Sequence, residues 1–166
     1  SVQNCLKYPE AYSQDDLKKI LEENLGIDRS TVTFGAGTTE IMYSLPRILN
    51  EGRVLIPSPT FWAYKASNMR EKKDIKRLHL DPESDFQVDY DKLEEEICEA
   101  GVVYLCNPNS PTSKLYDTEI LKKLATDHPE VDFIIDETYL FFLQEFQERS
   151  LMTFAASVEN VYVIAS

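Results

Sequence analysis

The chain has 166 residues, enough for one domain with a substantial core, and its 43% hydrophobic content predicts folding rather than disorder. Asp and Glu number 29 against 17 Lys and Arg, a formal net charge of −12; this argues against nucleic acid as a partner, since little here would displace a phosphate backbone's counterions. The cysteines Cys5, Cys98 and Cys106 and the histidines His79 and His128 are scattered, which excludes a disulfide framework, argues against a metal site and predicts buried, reduced thiols.

Ser1-Val2-Gln3 begins no signal-peptide pattern, and no apolar run is long enough to span a bilayer, so the expectation is a soluble cytoplasmic protein with no membrane partner. Tyr8-Pro9 reads as an extended, turn-like dipeptide. A helix follows, with Ser13 as N-cap, Asp15 and Asp16 at the positive end of its dipole, and Leu17, Ile20, Leu21 and Leu25 at helical spacing. Gly26 stops it.

Thr31-Val32-Thr33-Phe34 has the composition of a short strand, followed by Gly35-Ala36-Gly37-Thr38-Thr39-Glu40 and a helix from Ile41 to Leu49. Strand, glycines, hydroxyls and helix start, in that order, suit an anion. Glycine admits close backbone approach, and a helix start offers unpaired N–H groups. The run has neither the Gly-Lys-Ser/Thr of a P-loop nor the third glycine of a dinucleotide fingerprint, and a plain strand-to-helix turn competes with the anion reading.

Arg53-Val54-Leu55-Ile56 is a buried strand that runs into Pro57-Ser58-Pro59-Thr60 and the aromatics Phe61, Trp62 and Tyr64. These offer a stacking platform for a planar ring, with core packing as the competing reading. Residues 76–80 read as an edge-like strand, and Asp91 to Ala100 as a helix with Leu93 and Ile97 inward and Glu94 to Glu96 solvated. Gly101 to Cys106 is another buried strand; its end carries Asn107-Pro108-Asn109-Ser110-Pro111-Thr112, pinned by prolines, with amides and hydroxyls projecting.

A helix from Asp117 to Ala125 leads to Val131 to Asp136, a strand apolar enough for burial on both faces, and then to Glu137-Thr138-Tyr139. In parallel sheets ligands bind beyond the carboxyl ends of the strands, where Asp136 falls. A carboxylate held there needs a cationic or hydrogen-bonding partner; a helix cap, or a solvated pair with Glu137, is the alternative. Leu140 to Arg149 is an acidic, aromatic loop, Ser150 caps a short helix, and Val161 to Ile164 is the last buried strand. The alternation predicts an α/β fold, a three-layer αβα arrangement with a mostly parallel sheet.

Five pieces in this order resemble the large domain of fold-type I pyridoxal-phosphate enzymes: Tyr8-Pro9, Gly35 to Glu40, Pro59-Thr60-Phe61, Asn107 to Thr112, and Asp136 to Tyr139. Within the class I/II aminotransferases, the resemblance is closest to the branch of histidinol-phosphate aminotransferases and threonine-phosphate decarboxylases of cobalamin synthesis. It covers nearly the whole chain. The resemblance implies pyridoxal 5'-phosphate as cofactor and a small amino substrate. Asp136 would keep the ring nitrogen protonated, Tyr139 would donate to the ring's phenolic oxygen, and Phe61 would stack on the ring, leaving Trp62 and Tyr64 as packing. Gly37, Thr38 and Thr39 would cradle the phosphate. Tyr8 would reach the phosphate of a neighbouring subunit, implying a homodimer with shared sites.

The sequence departs from the family in two places. The family's asparagine before Pro-Thr-Gly is replaced by Ser110, and its glycine by Ser113. Ser110 can still donate to the cofactor's oxygen but reaches less far, so the expectation is either that Asn109 assists as a cofactor-binding residue or that the contact weakens. Ser166 matches the phosphate-contacting serine of a Ser-x-x-Lys pattern, and the sequence stops before the lysine that would hold the cofactor covalently. Lys65 and Lys114 lack that motif and read as surface charges. Residues 1–166 are therefore expected to form most of a large domain, without its seventh strand or the small C-terminal domain, and without the neighbour that the strand at 31–34 needs.

The implied activity of the parent enzyme is transamination of an amino acid or an amino-alcohol phosphate, ahead of decarboxylation of threonine phosphate. A noncatalytic fragment that keeps fold and dimer surface is the alternative of another class. A nucleotide-binding Rossmann-like domain is disfavoured, because Ile56 is followed by Pro57-Ser58 where an acidic residue is required.

Overall fold

The computed structural model describes residues 12–166. These fall into two compact units, one ending at Phe34 and the other running from Gly35 to Ser166. The first contains helix α1 (Tyr12–Leu25) and a 3-10 turn at Arg29–Thr31. Gly26, at φ 66°, ends α1 in the left-handed region, and its N–H donates to Glu22 O at 2.9 Å. The helix begins before Ser13, which is therefore not its N-cap, and Leu17 and Ile20 remain exposed despite their helical spacing.

The expected strand at Thr31–Phe34 does not form: Thr31 closes the 3-10 turn, and 32–34 pair with no strand among the described residues. Strand propensity is a fit to a pleated, half-buried surface rather than a property of the segment. Without a ladder partner, Thr31-Val32-Thr33-Phe34 has nothing to be a strand against.

The second unit is built on a parallel sheet of five strands in the order β2-β1-β3-β4-β5. The strands are β1 (Val54–Ser58), β2 (Ile75–His79), β3 (Val102–Cys106), β4 (Asp132–Asp136) and β5 (Val161–Ile164). Between them run α3 (Trp62–Arg70), α4 (Tyr90–Ile97), α5 (Thr118–Asp127) and the short α6 (Phe146–Arg149) and α7 (Met152–Ala155); α2 (Thr38–Ser44) precedes the sheet. Among these residues no helix is long and apolar enough to cross a membrane.

Side-chain alternation along the strands divides the core in two. Leu55, Val103, Leu105, Phe133 and Ile135 point to one face, where Leu93, Ile97, Leu121 and Leu124 of α4 and α5 cover them. Val54, Ile56, Val102, Tyr104 and Ile134 point to the other, under Met42 of α2 and Ala63 and Tyr64 of α3. The chain steps from β1 to β2 in one direction and, from β3 onward, in the other. Right-handed crossovers then require α3 on one face and α4 and α5 on the opposite one. The order reverses between β1 and β3, the kind of position beyond whose strand ends parallel sheets bind ligands.

Sequence-read helices shift by a few residues but survive. Asp117 caps α5 by accepting from Glu119 and Ile120 N–H, and Asp89 caps α4 from Lys92 N–H. The segment read as the loop Leu140–Arg149 contains a 3-10 turn at Leu140–Phe142 and the short α6.

Candidate functional site

β4 delivers its last residue, Asp136, to the carboxyl edge of the sheet. Parity along the strand puts Asp136 on the same face as Ile134 and as Tyr104 and Cys106 of β3, the face covered by α2 and α3. Asp136 is 4% exposed. Its Oδ1 accepts the Thr138 N–H at 2.9 Å and its Oδ2 accepts the Tyr64 hydroxyl at 2.7 Å. Both donors are neutral, and among the described residues no lysine, arginine or histidine pairs with this carboxylate. A buried carboxylate supplied only with neutral donors is suited to receive a cation.

Glu137, by contrast, turns to the opposite face and is fully buried rather than solvated. Its carboxylate accepts from the Ser150 hydroxyl at 2.6 Å and from the Leu151 N–H at 2.7 Å, tying the 150–151 turn to the end of β4. Burial raises its pKa, against the lowering effect of those two bonds. Its role is to hold the chain between β4 and β5.

Tyr64 is the residue that sequence reading underrated. It lies in the first turn of α3, fully buried, with its ring stacked on Tyr104 at 5.4 Å and met edge-on by Phe61 at 5.6 Å. The one available hint was a large phenol beside a strand end, which needs a hydroxyl partner when buried. Trp62, expected to pack, is 63% exposed, and its ring centroid lies 5.7 Å from that of Phe61. Through Tyr64 the structure brings Phe61 and Asp136 together.

The loops after β1 and β3 are joined by Asn109. Its Nδ2 donates to Pro59 O at 2.9 Å and to Thr112 Oγ1 at 2.8 Å, and its Oδ1 accepts the Thr60 hydroxyl at 2.7 Å. The side chain is thereby spent on the two loops rather than projecting from them. Ser110, half-buried beside it, is left as the hydroxyl of that loop. Asn107 is fully buried; its Oδ1 takes the Tyr116 N–H at 2.9 Å, while its Nδ2 and the Thr138 Oγ1 are buried without a partner.

At the start of α2, Gly37 adopts φ 88° and ψ 164°, a conformation open to glycine alone, and a Cβ there would meet nothing within 4 Å. Glu40 folds back to accept the Ala36 N–H, which fixes the turn and leaves Thr38 and Thr39 as the first helical residues. Tyr139 is 51% exposed and stacks on Phe142 at 6.3 Å. Ser166 is exposed beyond β5. No hydrogen bond links Tyr139, Ser166 or the Gly37 turn to Asp136 among the described residues, although all lie in the unit that starts at Gly35. Tyr8 lies outside the described residues.

The thiols divide. Cys106 is buried, while Cys98, expected to be buried, is exposed at the end of α4; Cys5 lies outside the described residues. Lys65 is exposed, and Lys114 pairs with Asp85.

Known proteins are similar in sequence and in fold. The chain is 32% identical over 161 residues to histidinol-phosphate aminotransferase 2 of Oceanobacillus iheyensis, covering 95% of this chain and 43% of that protein. The structure of the histidinol-phosphate aminotransferase from Clostridium acetobutylicum matches with a TM-score of 0.80 at 20% identity, over 99% of this chain and 48% of that one. That of L-threonine-O-3-phosphate decarboxylase from Porphyromonas gingivalis matches with a TM-score of 0.77 at 20% identity, over 99% and 50%. The chain thus spans about half the length, or less, of the proteins it resembles. The model of the family described as aminotransferase class I and II matches residues 1–166, and the chain belongs to that family.

Proposed function

We propose that the polypeptide carrying this chain is a pyridoxal-phosphate-dependent aminotransferase acting on an amino acid or an amino-alcohol phosphate. The observation that carries the reading is Asp136: a buried carboxylate at the end of an interior strand, held by two neutral donors and suited to a cationic ring nitrogen. The residues fit the cofactor in two further respects. Gly37 leaves open space at a helix start, and the buried Asn107 Nδ2 and Thr138 Oγ1 lie unpartnered at the strand ends. When bound, pyridoxal phosphate supplies an electron sink for the substrate's alpha-carbon.

The chain's own residues do the rest. Asp136 keeps a proton on the ring nitrogen, and its burial strengthens that pairing over its value in water. Phe61 presents a ring edge already braced by Tyr64 and supplies the stacking face. Gly37, Thr38 and Thr39 offer backbone and hydroxyl donors for the phosphate. Ser110 and Tyr139 are assigned to the ring's phenolic oxygen, and Ser166 to the phosphate. The same reading makes residues 1–166 the larger part of a cofactor-binding domain in a cytoplasmic homodimer, with Tyr8 reaching across to the neighbouring site and the covalent lysine and small domain supplied outside this chain.

The test uses the full-length polypeptide with pyridoxal phosphate, offered L-histidinol phosphate or aromatic amino acids together with 2-oxoglutarate, with glutamate release as the signal. Glutamate release supports transamination. Carbon dioxide release from L-threonine O-3-phosphate without glutamate formation would replace it with decarboxylation. Failure to bind the cofactor would overturn both.

A further inference from the structure

The two donors on Asp136 differ in kind. The Thr138 N–H is two residues along the same chain, and any residue but proline would provide it. The Tyr64 hydroxyl comes from 72 residues earlier and depends on one side chain in one rotamer.

That rotamer is fixed on several sides. Tyr64 is wholly buried; its ring lies against Tyr104 at 5.4 Å with an interplanar angle of 28°, and Phe61 closes the edge at 5.6 Å. Its backbone carbonyl accepts from Asn68 Nδ2 at 2.8 Å and from Ser67 Oγ at 3.1 Å, which holds the turn of α3 that carries the ring rather than the rotamer itself. Burial drives the Tyr64 phenol far above its ordinary range, with Cys106 and Asp136 adding to the effect. The phenol therefore keeps its proton, and the bond has one polarity, Tyr64 donating and Asp136 accepting.

We propose that Tyr64 is a positioning residue of the cofactor site: its hydroxyl fixes the Asp136 carboxylate so that it meets the ring nitrogen without reorganising. The proposal rests on the reading of Asp136 given under Proposed function. A group held in place before the ligand arrives pays less to order on binding, so the benefit appears in affinity. A tyrosine present only to fill space would be replaced without loss by phenylalanine.

Pyridoxamine 5'-phosphate is the probe, because it carries the same ring nitrogen and forms no bond to a lysine. Its dissociation constant is measured by fluorescence on the full-length polypeptide for the wild type, Tyr64→Phe, Asp136→Asn and the double variant. The expected result is about a tenfold weakening in Tyr64→Phe, the scale of one hydrogen bond to a charged group. Asp136→Asn weakens binding further, and the double variant binds no worse than Asp136→Asn alone, because the hydroxyl acts through the carboxylate. Wild-type affinity in Tyr64→Phe, or losses that multiply, would overturn the proposal while leaving the Asp136 reading intact. If the wild type does not bind, or Asp136→Asn binds equally well, the Asp136 reading fails and this proposal falls with it.

Should thermal unfolding show that Tyr64→Phe does not fold, two non-natural residues replace it. 4-Aminophenylalanine at position 64 keeps a donor, and 4-methylphenylalanine keeps the shape without one. The amino compound is expected to bind at least several-fold tighter than the methyl compound; equal affinities would overturn the proposal.

Discussion

The Thr60 hydroxyl donates to Asn109 Oδ1 across 2.7 Å, joining loops whose residues lie 49 apart in the chain. With the two bonds from Asn109 Nδ2 to Pro59 and Thr112, one amide ties together the loops after β1 and β3. Asn109→Ala removes three side-chain bonds at about 1 kcal/mol each, so urea unfolding is expected to show a loss of roughly 2–3 kcal/mol. Thr60→Val removes only one and should cost about 1 kcal/mol. Equal losses from the two variants would show that the loops are not held together by the amide.

Glu137 gives a pH signature. Burial raises its pKa in the folded state above the ordinary glutamate value of 4.5, outweighing the bonds from Leu151 and Ser150. The folded state thus holds this proton more tightly than the unfolded one. The linked stability is fully present below about pH 4.5 and is lost as pH rises through the raised value. Glu137→Gln keeps an oxygen for the Leu151 N–H and removes the titration. The stability of the glutamine variant relative to wild type is therefore expected to increase from pH 4.5 towards pH 7, read by denaturant titration at several pH values. A difference that does not change with pH would contradict this.

Much of this was legible in sequence because the strands are short apolar runs between punctuating residues. Val54–Ser58, Val102–Cys106 and Asp132–Asp136 are buried along almost their whole length, which makes them readable without knowing their partners. Thr31–Phe34 failed because a half-polar strand exists only by pairing, and pairing is not written in the segment. Asp136 was legible because the end of a buried strand locates itself. Its partner Tyr64 was not, since the contact depends on the phase of α3 against the sheet. Glu137 beside it read the same as Asp136 in sequence; only strand parity separates the carboxylate that faces the site from the one that anchors the Ser150 turn.

The thiols offer a test of packing on the site face. Burial pushes the Cys106 thiol up to about 11, so at pH 8 it carries little thiolate and has no solvent path. Cys98 is exposed at the end of α4. Iodoacetamide at pH 8 followed by peptide mass mapping should modify Cys98 in the native protein and reach Cys106 only in denaturant. Labelling of both at similar rates would mean that the face carrying Tyr64 and Asp136 opens readily.

The loop after β3 carries a backbone strain that the sequence marks. Ser113, where the family has glycine, sits at φ 58° in the left-handed region, and its N–H donates to Asn109 O at 2.6 Å. A side chain in that region costs roughly 1–2 kcal/mol, whereas glycine loses about 0.5–1 kcal/mol more chain entropy on folding. The first effect outweighs the second, so Ser113→Gly is expected to stabilise the protein by about 0.5 kcal/mol. At Gly37, φ 88° with ψ 164° admits no other residue, so Gly37→Ala should destabilise even though its Cβ would meet nothing. Urea midpoints for the two variants should therefore move in opposite directions. A Ser113→Gly midpoint below wild type would mean that the serine hydroxyl stabilises the loop by more than the strain it imposes.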